Sequence, residues 1–425
     1  MLDRQRIRKE PDYVRAQALR KGVPVPIDEF LELDQQWREL LTELEQRRSK
    51  LNQVSKEVGR LMASDRAAGE RARAQAASIK QSIAALEDAV KEKEAALREL
   101  ELQFPNLPDE SVPDGDSEEQ NVVVSEFGEK PETAGEPVPH WEIAEDLQLI
   151  DFTRGAKVAG SGFLFFTGAG AKLQRALVAF MLDHHTGRNG YTEVYPPYLV
   201  NRVSLVGTGQ LPKFEDDLYR MERDDLFLIP TAEVPVTNLH QDEILNPEDL
   251  PRKYVAFSGC FRREAGAAGK DTRGLLRIHQ FDKVELVKIV RPETSFDELE
   301  SLRSDAESVL QALGLHYRVT LICAGEMGFS NAKQYDLEVW APGVGKYLEV
   351  SSVSNFTDFQ ARRANIRYRP GHGERPDFVH TLNASGVALP RLMAALLETY
   401  RQSDGTIAIP DALQPYFGAN RIERP

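Results

Sequence analysis

Two long apolar series near the start of the chain constrain its fold more than any other feature. Phe30, Leu33, Trp37, Leu40, Leu44, Leu51, Val54, Val58 and Leu61 recur at alternating spacings of three and four, broken only at Arg47. A second series, Ala72, Ala76, Ile79, Ile83, Leu86, Val90, Leu97 and Leu100, follows the same rule and is interrupted at Lys93. Such spacings place side chains on one stripe of an α-helix, and about four heptads of that stripe specify a coiled coil. Between the series lies ASDRAAGE, a polar stretch containing Gly69, which reads as a turn. Two helices of about 33 residues joined by a short turn fold back antiparallel, and at about 1.5 Å per residue they make an arm roughly 50 Å long.

The arm is not electrically uniform. Around the turn stand nine basic residues against three acidic ones: Arg47, Arg48, Lys50, Lys56, Arg60, Arg66, Arg71, Arg73 and Lys80. The whole chain has a formal net charge of −14, which argues against indiscriminate binding to nucleic acid. Residues 1–104 carry 20 Lys/Arg and 19 Asp/Glu, and the other residues carry 33 and 48, so the excess negative charge lies outside the arm. A rod with a cationic outer half on an acidic protein suits the grip of a long polyanion. The competing reading is the solvated face of an ordinary coiled coil.

No run approaches the ~18 apolar residues that a membrane span needs. The opening MLDRQRIRKEPDYV lacks the apolar segment of a secretory signal. Two cysteines, Cys260 and Cys323, exclude a disulfide framework and a cysteine-rich zinc site, and point to a reducing, cytoplasmic setting.

Residues 104–140 hold six prolines and ten acidic residues against one lysine, which reads as an extended linker or a crossing over the surface. From about residue 141 the pattern turns to a mixed domain. GAKLQRALVAFMLDHHTGRNG reads as an amphipathic helix, as do PETSFDELESLRSDAESVLQALG and SGVALPRLMAALLETYRQ. YTEVYPPYLV reads as a short strand ended by Pro196 and Pro197. LFLIP, KYVAFSGCFRR, LLRIHQFDKVELVKIV, HYRVTLICAG, QYDLEVWAP and KYLEVSSVSNF read as further strands. Strands in meander order with helices between groups predict an α+β domain built on an antiparallel sheet. The glycine-rich nucleotide loops GxGxxG and GxxxxGK[ST] are absent. The expected division is therefore an arm over 1–104, with its hairpin over about 27–103, a linker over 105–140 and the mixed domain over 141–425.

FRREAGAAGKDTRGLLRIHQFDKVE, from Phe261 to Glu285, concentrates the chemistry. As a strand, its second half puts Arg277, His279, Phe281, Lys283 and Glu285 on one face and Ile278, Val284 and Leu286 on the other. Cation, ring and carboxylate in a row suit a graded ligand: phosphate, then base, then ammonium or hydroxyl. Arg262, Arg263 and Glu264 end the preceding strand, and the small, basic AGAAGKDTRG between them can approach phosphates closely. Arginine fits because its planar fork pairs with phosphate or carboxylate and stays charged. The competing reading is an exposed hairpin with cross-strand ion pairs.

This stretch resembles motif 2 of the class II aminoacyl-tRNA synthetases, the strand–loop–strand that grips ATP. TAEVPVTNLHQDEIL, from Thr231, resembles the signature of the seryl-tRNA synthetases, the bacterial type in particular. YTEVYPPYLV resembles motif 1, which belongs to the dimer interface. LNASGVALPRLMAALLETYRQSDGTIAIPDALQPYFG resembles motif 3, a strand entering a helix with Arg391 near its start. With the helical arm, the likeness spans essentially the whole chain. It implies a class II catalytic domain, an antiparallel sheet with helices, preceded by an antiparallel coiled-coil arm. It implies activation of L-serine by ATP and Mg²⁺ and transfer to tRNA(Ser), with tRNA(Sec) a further candidate, in a cytoplasmic homodimer without zinc.

By the resemblance, Arg262 and Arg391 are the catalytic cations, with Arg262 bridging the α-phosphate and the serine carboxylate. Thr231, Ala232, Glu233, Arg262, Glu285 and Ser385 form the serine pocket. ATP falls to Arg262, Arg263, Glu264, Arg277, Ile278, Phe281, Glu349, Val350, Ser351, Ser352 and Arg391, and Mg²⁺ to Glu349 and Ser352. The nine arm cations fall to tRNA. Ala384 and Pro390 stand where glycine is frequent in the family, which leaves the fine shape of the pocket in question. The alternatives are a class II-like ligase that loads a carrier protein, which would lack the arm, and a non-catalytic RNA-binding relative, which would have lost the arginines.

Overall fold

The structure, a computed structural model, describes residues 1–132, 135–265, 273–371 and 373–424. Their contacts divide into two units. One comprises Leu2–Leu19 and Val23–Pro105; the other comprises Met1, Arg20–Gly22 and Asn106–Pro425.

In the first unit the heptad series form two continuous helices, Ile27–Ser64 and Arg66–Glu101. Leu44, Val54, Ile79, Ile83 and Val90 make the buried seam, flanked by Trp37, Leu40, Leu51, Val58, Ala76 and Leu86. Each aliphatic side chain buried there contributes about 1.5–3 kcal/mol, so the seam rather than helix propensity holds the pair. The interruptions are accommodated by polar pairing. Lys93 donates across the hairpin to Gln36 Oε1 at 2.9 Å, and Arg47 meets Glu43 one turn away at 3.0 Å.

The turn is tighter than expected. The eight-residue stretch ASDRAAGE is almost wholly helical, and Asp65 alone is extended. Its carboxylate accepts from Ala68 N–H at 3.0 Å, capping the second helix. Gly69 is buried within that helix, where a Cβ would lie 2.6 Å from Met62 Sδ. Its smallness serves close approach of the two helices, not the turn.

The second unit is organised by an eight-stranded sheet in the order Val122–Phe127, Tyr317–Leu321, Lys333–Ala341, Lys346–Asn355, His380–Ala388, Gln280–Val290, Arg252–Phe261 and Thr192–Glu193. All neighbours are antiparallel except the last pair. The first strand lies within the proline-rich stretch read as a linker, and the composition did not announce it. Strand alternation feeds two cores. Val284 and Leu286 enter a large cluster with Leu173 and Leu177 of helix Gly168–Gly187, Leu299 and Leu302 of helix Ser295–Ala312, and Leu392 and Leu396 of helix Leu389–Thr399. Val287 and Ile289 enter a second cluster with Tyr254, Ala256, Ala361 and Ile366. Lys283 and Glu285 share the parity of that second face.

Three local expectations change. Residues 385–388, read as the start of a helix, end strand His380–Ala388, and the helix begins at Leu389. YTEVYPPYLV gives one strand before its prolines and another after them, Leu199–Asn201. The strand expected from Leu275 begins only at Gln280, so Arg277, Ile278 and His279 precede it. His279 N–H is taken by Gly162 O at 3.0 Å, a partner from outside the sheet. No helix among the described residues is long and apolar enough to cross a membrane.

Candidate active site

A cavity of about 670 Å³ opens over the junction of strands Arg252–Phe261, Gln280–Val290, Lys346–Asn355 and His380–Ala388. Arg262 enters just past the end of the first strand, with its guanidinium 5.1 Å from the ring centre of Phe281. Arg277 enters from the segment before the second strand and is ion-paired with Glu264. Arg391 enters from the first turn of helix Leu389–Thr399. Its Nη1 donates to Glu349 O at 2.9 Å and to Glu349 Oε2 at 3.2 Å, and its Nε to Leu276 O at 3.3 Å. Three guanidiniums from separate segments thus share one cavity. A hollow of about 720 Å³ elsewhere is larger, but it holds only one arginine, Arg421, and no buried carboxylate.

Deeper in the same cavity the chemistry changes to buried carboxylates. Glu233 begins the short helix Glu233–Thr237. Its Oε1 accepts from Gln360 Nε2 at 2.6 Å, and Gln360 Oε1 accepts from Thr381 Oγ1 at 2.7 Å. Burial, then the negative charge of Glu285, push the Glu233 carboxyl up to about 7. Burial also raises Glu285, whose Oε1 accepts from Asn383 Nδ2 at 3.0 Å. Its Oε2 lies 2.6 Å from Lys283 Nζ, an ion pair off the hydrogen-bonding angle. Lys283 Nζ donates to Thr231 Oγ1 at 3.0 Å. Lys283 and Arg262 both act on these two carboxylates, and Glu233, once ionised, offers an incoming ammonium a buried partner.

Most sequence-expected residues meet here. Thr231, Glu233, Arg262, Glu264, Arg277, Ile278, Phe281, Glu349, Val350, Ser352, Ser385 and Arg391 all line the cavity. Four lie beside it. Ala232 is buried in the second core. Arg263 donates to Asp216 O at 2.8 Å. Glu285 sits one layer below, behind Lys283. Ser351 is buried, with Oγ donating to Ser385 O at 2.5 Å. The connecting stretch AGAAGKDTRG lies mostly outside the described residues. The arm cations Arg47, Arg48, Lys50, Lys56, Arg60, Arg66, Arg71, Arg73 and Lys80 are all exposed, and three of them pair with neighbouring carboxylates, as Arg48 does with Glu87 at 2.7 Å.

Sequence reasoning missed Gln360, Asn383 and Asp336, and it placed Lys283 on the right face without giving it a role. Asp336 pairs in register with Ser352. Burial and the negative charge of Glu349 hold its carboxyl well above the usual range. Strand parity was the available signal for Lys283; nothing local marks Gln360, which is distant in the chain from Glu233.

Residues 1–108 match the family described as "Seryl-tRNA synthetase N-terminal domain", and residues 213–400 match "tRNA synthetase class II core domain (G, H, P, S and T)". The serine--tRNA ligase of Geobacillus kaustophilus is 53% identical over all of both chains. The chain belongs to the seryl-tRNA synthetase family. It therefore has the class II aminoacyl-tRNA synthetase core. The serine--tRNA ligase of Pelotomaculum thermopropionicum is 52% identical over 98% of this chain and 99% of its own. Among solved structures, the seryl-tRNA synthetase from Pyrococcus horikoshii, complexed with ATP, superposes with a TM-score of 0.92 at 38% identity over all of both chains.

Proposed function

We propose that the chain activates L-serine with ATP, forming seryl-adenylate and pyrophosphate, and then transfers the seryl group to tRNA(Ser). The observation that carries this is the shared cavity: three arginines beside the deep carboxylate of Glu233, with Glu285 one layer below. A triphosphate answers the first group and an amino-acid ammonium the second.

The serine carboxylate attacks the α-phosphorus of ATP, and the bond to the departing pyrophosphate breaks. Negative charge gathers on phosphate oxygens, so positioning and electrostatic stabilisation do most of the work. Arg262, whose charge acts on both Glu233 and Glu285, is read as meeting both the α-phosphate and the serine carboxylate. Arg277 and Arg391 hold the outer phosphates, which displace Glu264 and Glu349 from their resting pairs. Phe281 stacks on the base. Glu233 receives the serine ammonium, Glu285 adds negative charge from the layer below, and Thr231, Lys283 and Ser385 bound the space for the hydroxymethyl group. A site built to pair a hydroxyl rejects alanine, because its own buried polar groups would be left unpaired.

The oxygen donors Glu349 and Ser352 fit Mg²⁺, which favours one or two protein oxygens together with substrate phosphates. Asp336, buried beside Glu349 and held in its neutral form chiefly by that burial, adds a further oxygen near the same spot. When bound, Mg²⁺ supplies charge neutralisation to the phosphates. The serine ammonium is read as held by carboxylates, without zinc.

The arm's exposed cations are read as backbone contacts to tRNA(Ser), which would weaken with salt. tRNA(Sec) is a second candidate, since such contacts recognise shape. Exposed Tyr195, Leu199 and Val203, around the two prolines, are read as the face covered by a second copy in a cytoplasmic homodimer. The arm and the retained arginines both speak against the carrier-protein and non-catalytic alternatives. Serine-dependent ATP–pyrophosphate exchange tests the first step and charging of purified tRNA(Ser) the second; absence of exchange with serine would overturn the reading.

A further inference from the structure

His140 lies outside the cavity and is fully buried with Glu398. Its Nδ1 is 2.8 Å from Glu398 Oε1, which also accepts the His140 backbone N–H at 2.9 Å. The other carboxylate oxygen accepts from Gly343 N–H at 2.8 Å and Val344 N–H at 3.2 Å. His140 Nε2 then accepts from Leu275 N–H at 3.0 Å. These bonds fix the tautomer: an Nε2 that accepts leaves the ring proton on Nδ1, donated to Glu398.

Leu275 is two residues before Arg277, and both line the cavity. Arg273, Gly274 and Leu275, just before Arg277, lie against the start of helix His140–Asp146. The Arg273 guanidinium lies 4.7 Å from the ring centre of Trp141. Gly274 sits so close to His140 that a Cβ there would be 2.4 Å from Nε2. Leu276 O takes Arg391 Nε. One helix thus holds this backbone at both its ends, through Arg391 near its start on Leu276 and through Glu398 and His140 on Leu275.

We propose that His140 is a positioning residue for the reaction, setting the reach of Arg277 toward the nucleotide by gripping the backbone of Leu275. This rests on the reading of the cavity as an ATP site. A grip on the phosphate side acts on ATP and leaves serine binding alone, which separates it from a general structural role.

The test compares H140L and H140Q with the wild type in serine-dependent exchange, with enzyme concentration set by active-site titration. Leucine fills the space without either bond. Glutamine offers an amide N–H to Glu398 and an amide oxygen to Leu275. The expected result is a roughly tenfold rise in ATP KM for H140L, serine KM within twofold, and H140Q restored to within threefold of wild type. A folded H140L with unchanged ATP KM, or with ATP and serine KM raised alike, overturns the proposal, as does an H140Q no better than H140L. Nitrogen-15 spectra of the wild-type histidines, eight in the chain, give a readout independent of variant folding. The His140 signal, identified by its loss in H140Q, should show a protonated Nδ1, and a proton on Nε2 overturns the grip. A wild-type chain without exchange sinks the functional reading instead, and the spectra then decide on His140 alone.

Discussion

Glu233 supplies the most quantitative test of the serine pocket. Its carboxyl is pushed from 4.5 up to about 7, first by burial and then by Glu285. Lys283 and Arg262 face it as well and pull the other way. An incoming ammonium prefers the ionised form, so serine affinity should follow the ionised fraction. That fraction rises from about one-tenth at pH 6 to about nine-tenths at pH 8, a roughly tenfold fall in serine KM across the interval. For the stability of the unliganded protein the sign is opposite. The folded state keeps a proton that the unfolded chain releases, so the contribution is complete below pH 4.5 and lost as pH passes about 7. A shift of this size corresponds to about 3 kcal/mol. E233Q keeps an acceptor for Gln360 but removes the charge. A charge-assisted bond is worth about 1.5–3 kcal/mol, so serine KM should rise roughly 10- to 150-fold, with ATP KM nearly unchanged and the pH slope flattened. The assay is serine-dependent exchange at saturating ATP from pH 6 to 8. A wild-type serine KM that is flat with pH, or an E233Q variant that keeps the full tenfold slope, would refute the reasoning.

Three further outcomes follow. R277A frees Glu264 and removes one phosphate contact; kcat/KM for ATP should fall about 100-fold with serine KM within threefold, measured by exchange. Replacing Arg71, Arg73 and Lys80 together by alanine should lower tRNA charging and its salt sensitivity while sparing exchange, and equal loss of both activities would contradict the separate roles. G69L drives a side chain into Met62 and should destabilise the hairpin by about 1–3 kcal/mol, seen as an earlier helical melt by circular dichroism, with exchange unchanged.

The arm and the sheet strands were legible because their signals are local and periodic. A seam such as Leu44–Val54–Ile79–Ile83 declares itself by spacing alone. The turn was read as too long because one capping aspartate does the work expected of an eight-residue stretch, and Gly69 answers to Met62, a contact invisible to local pattern. Strand Val122–Phe127 was hidden because its residues are exposed at a sheet edge, so the burial that marks other strands is missing. Arg277 looked like a strand residue by parity, yet His279 N–H bonds to Gly162 and the ladder starts later. In the site, charged residues near one another in sequence were found together. Gln360, Asn383 and Asp336 depend on which strands and helices the fold makes neighbours, and no stretch of sequence shows that.

The ion pairs Arg277–Glu264 and Arg391–Glu349 also set an entry threshold for anions. Arg277 and Arg391, unlike Arg262, each already have a carboxylate, so a ligand that takes both must outcompete two of them at once. Orthophosphate can engage one arginine at a time and gains little by exchanging one anion for another. On the ATP reading, a polyphosphate chain that spans both positions would meet the threshold in a single binding event.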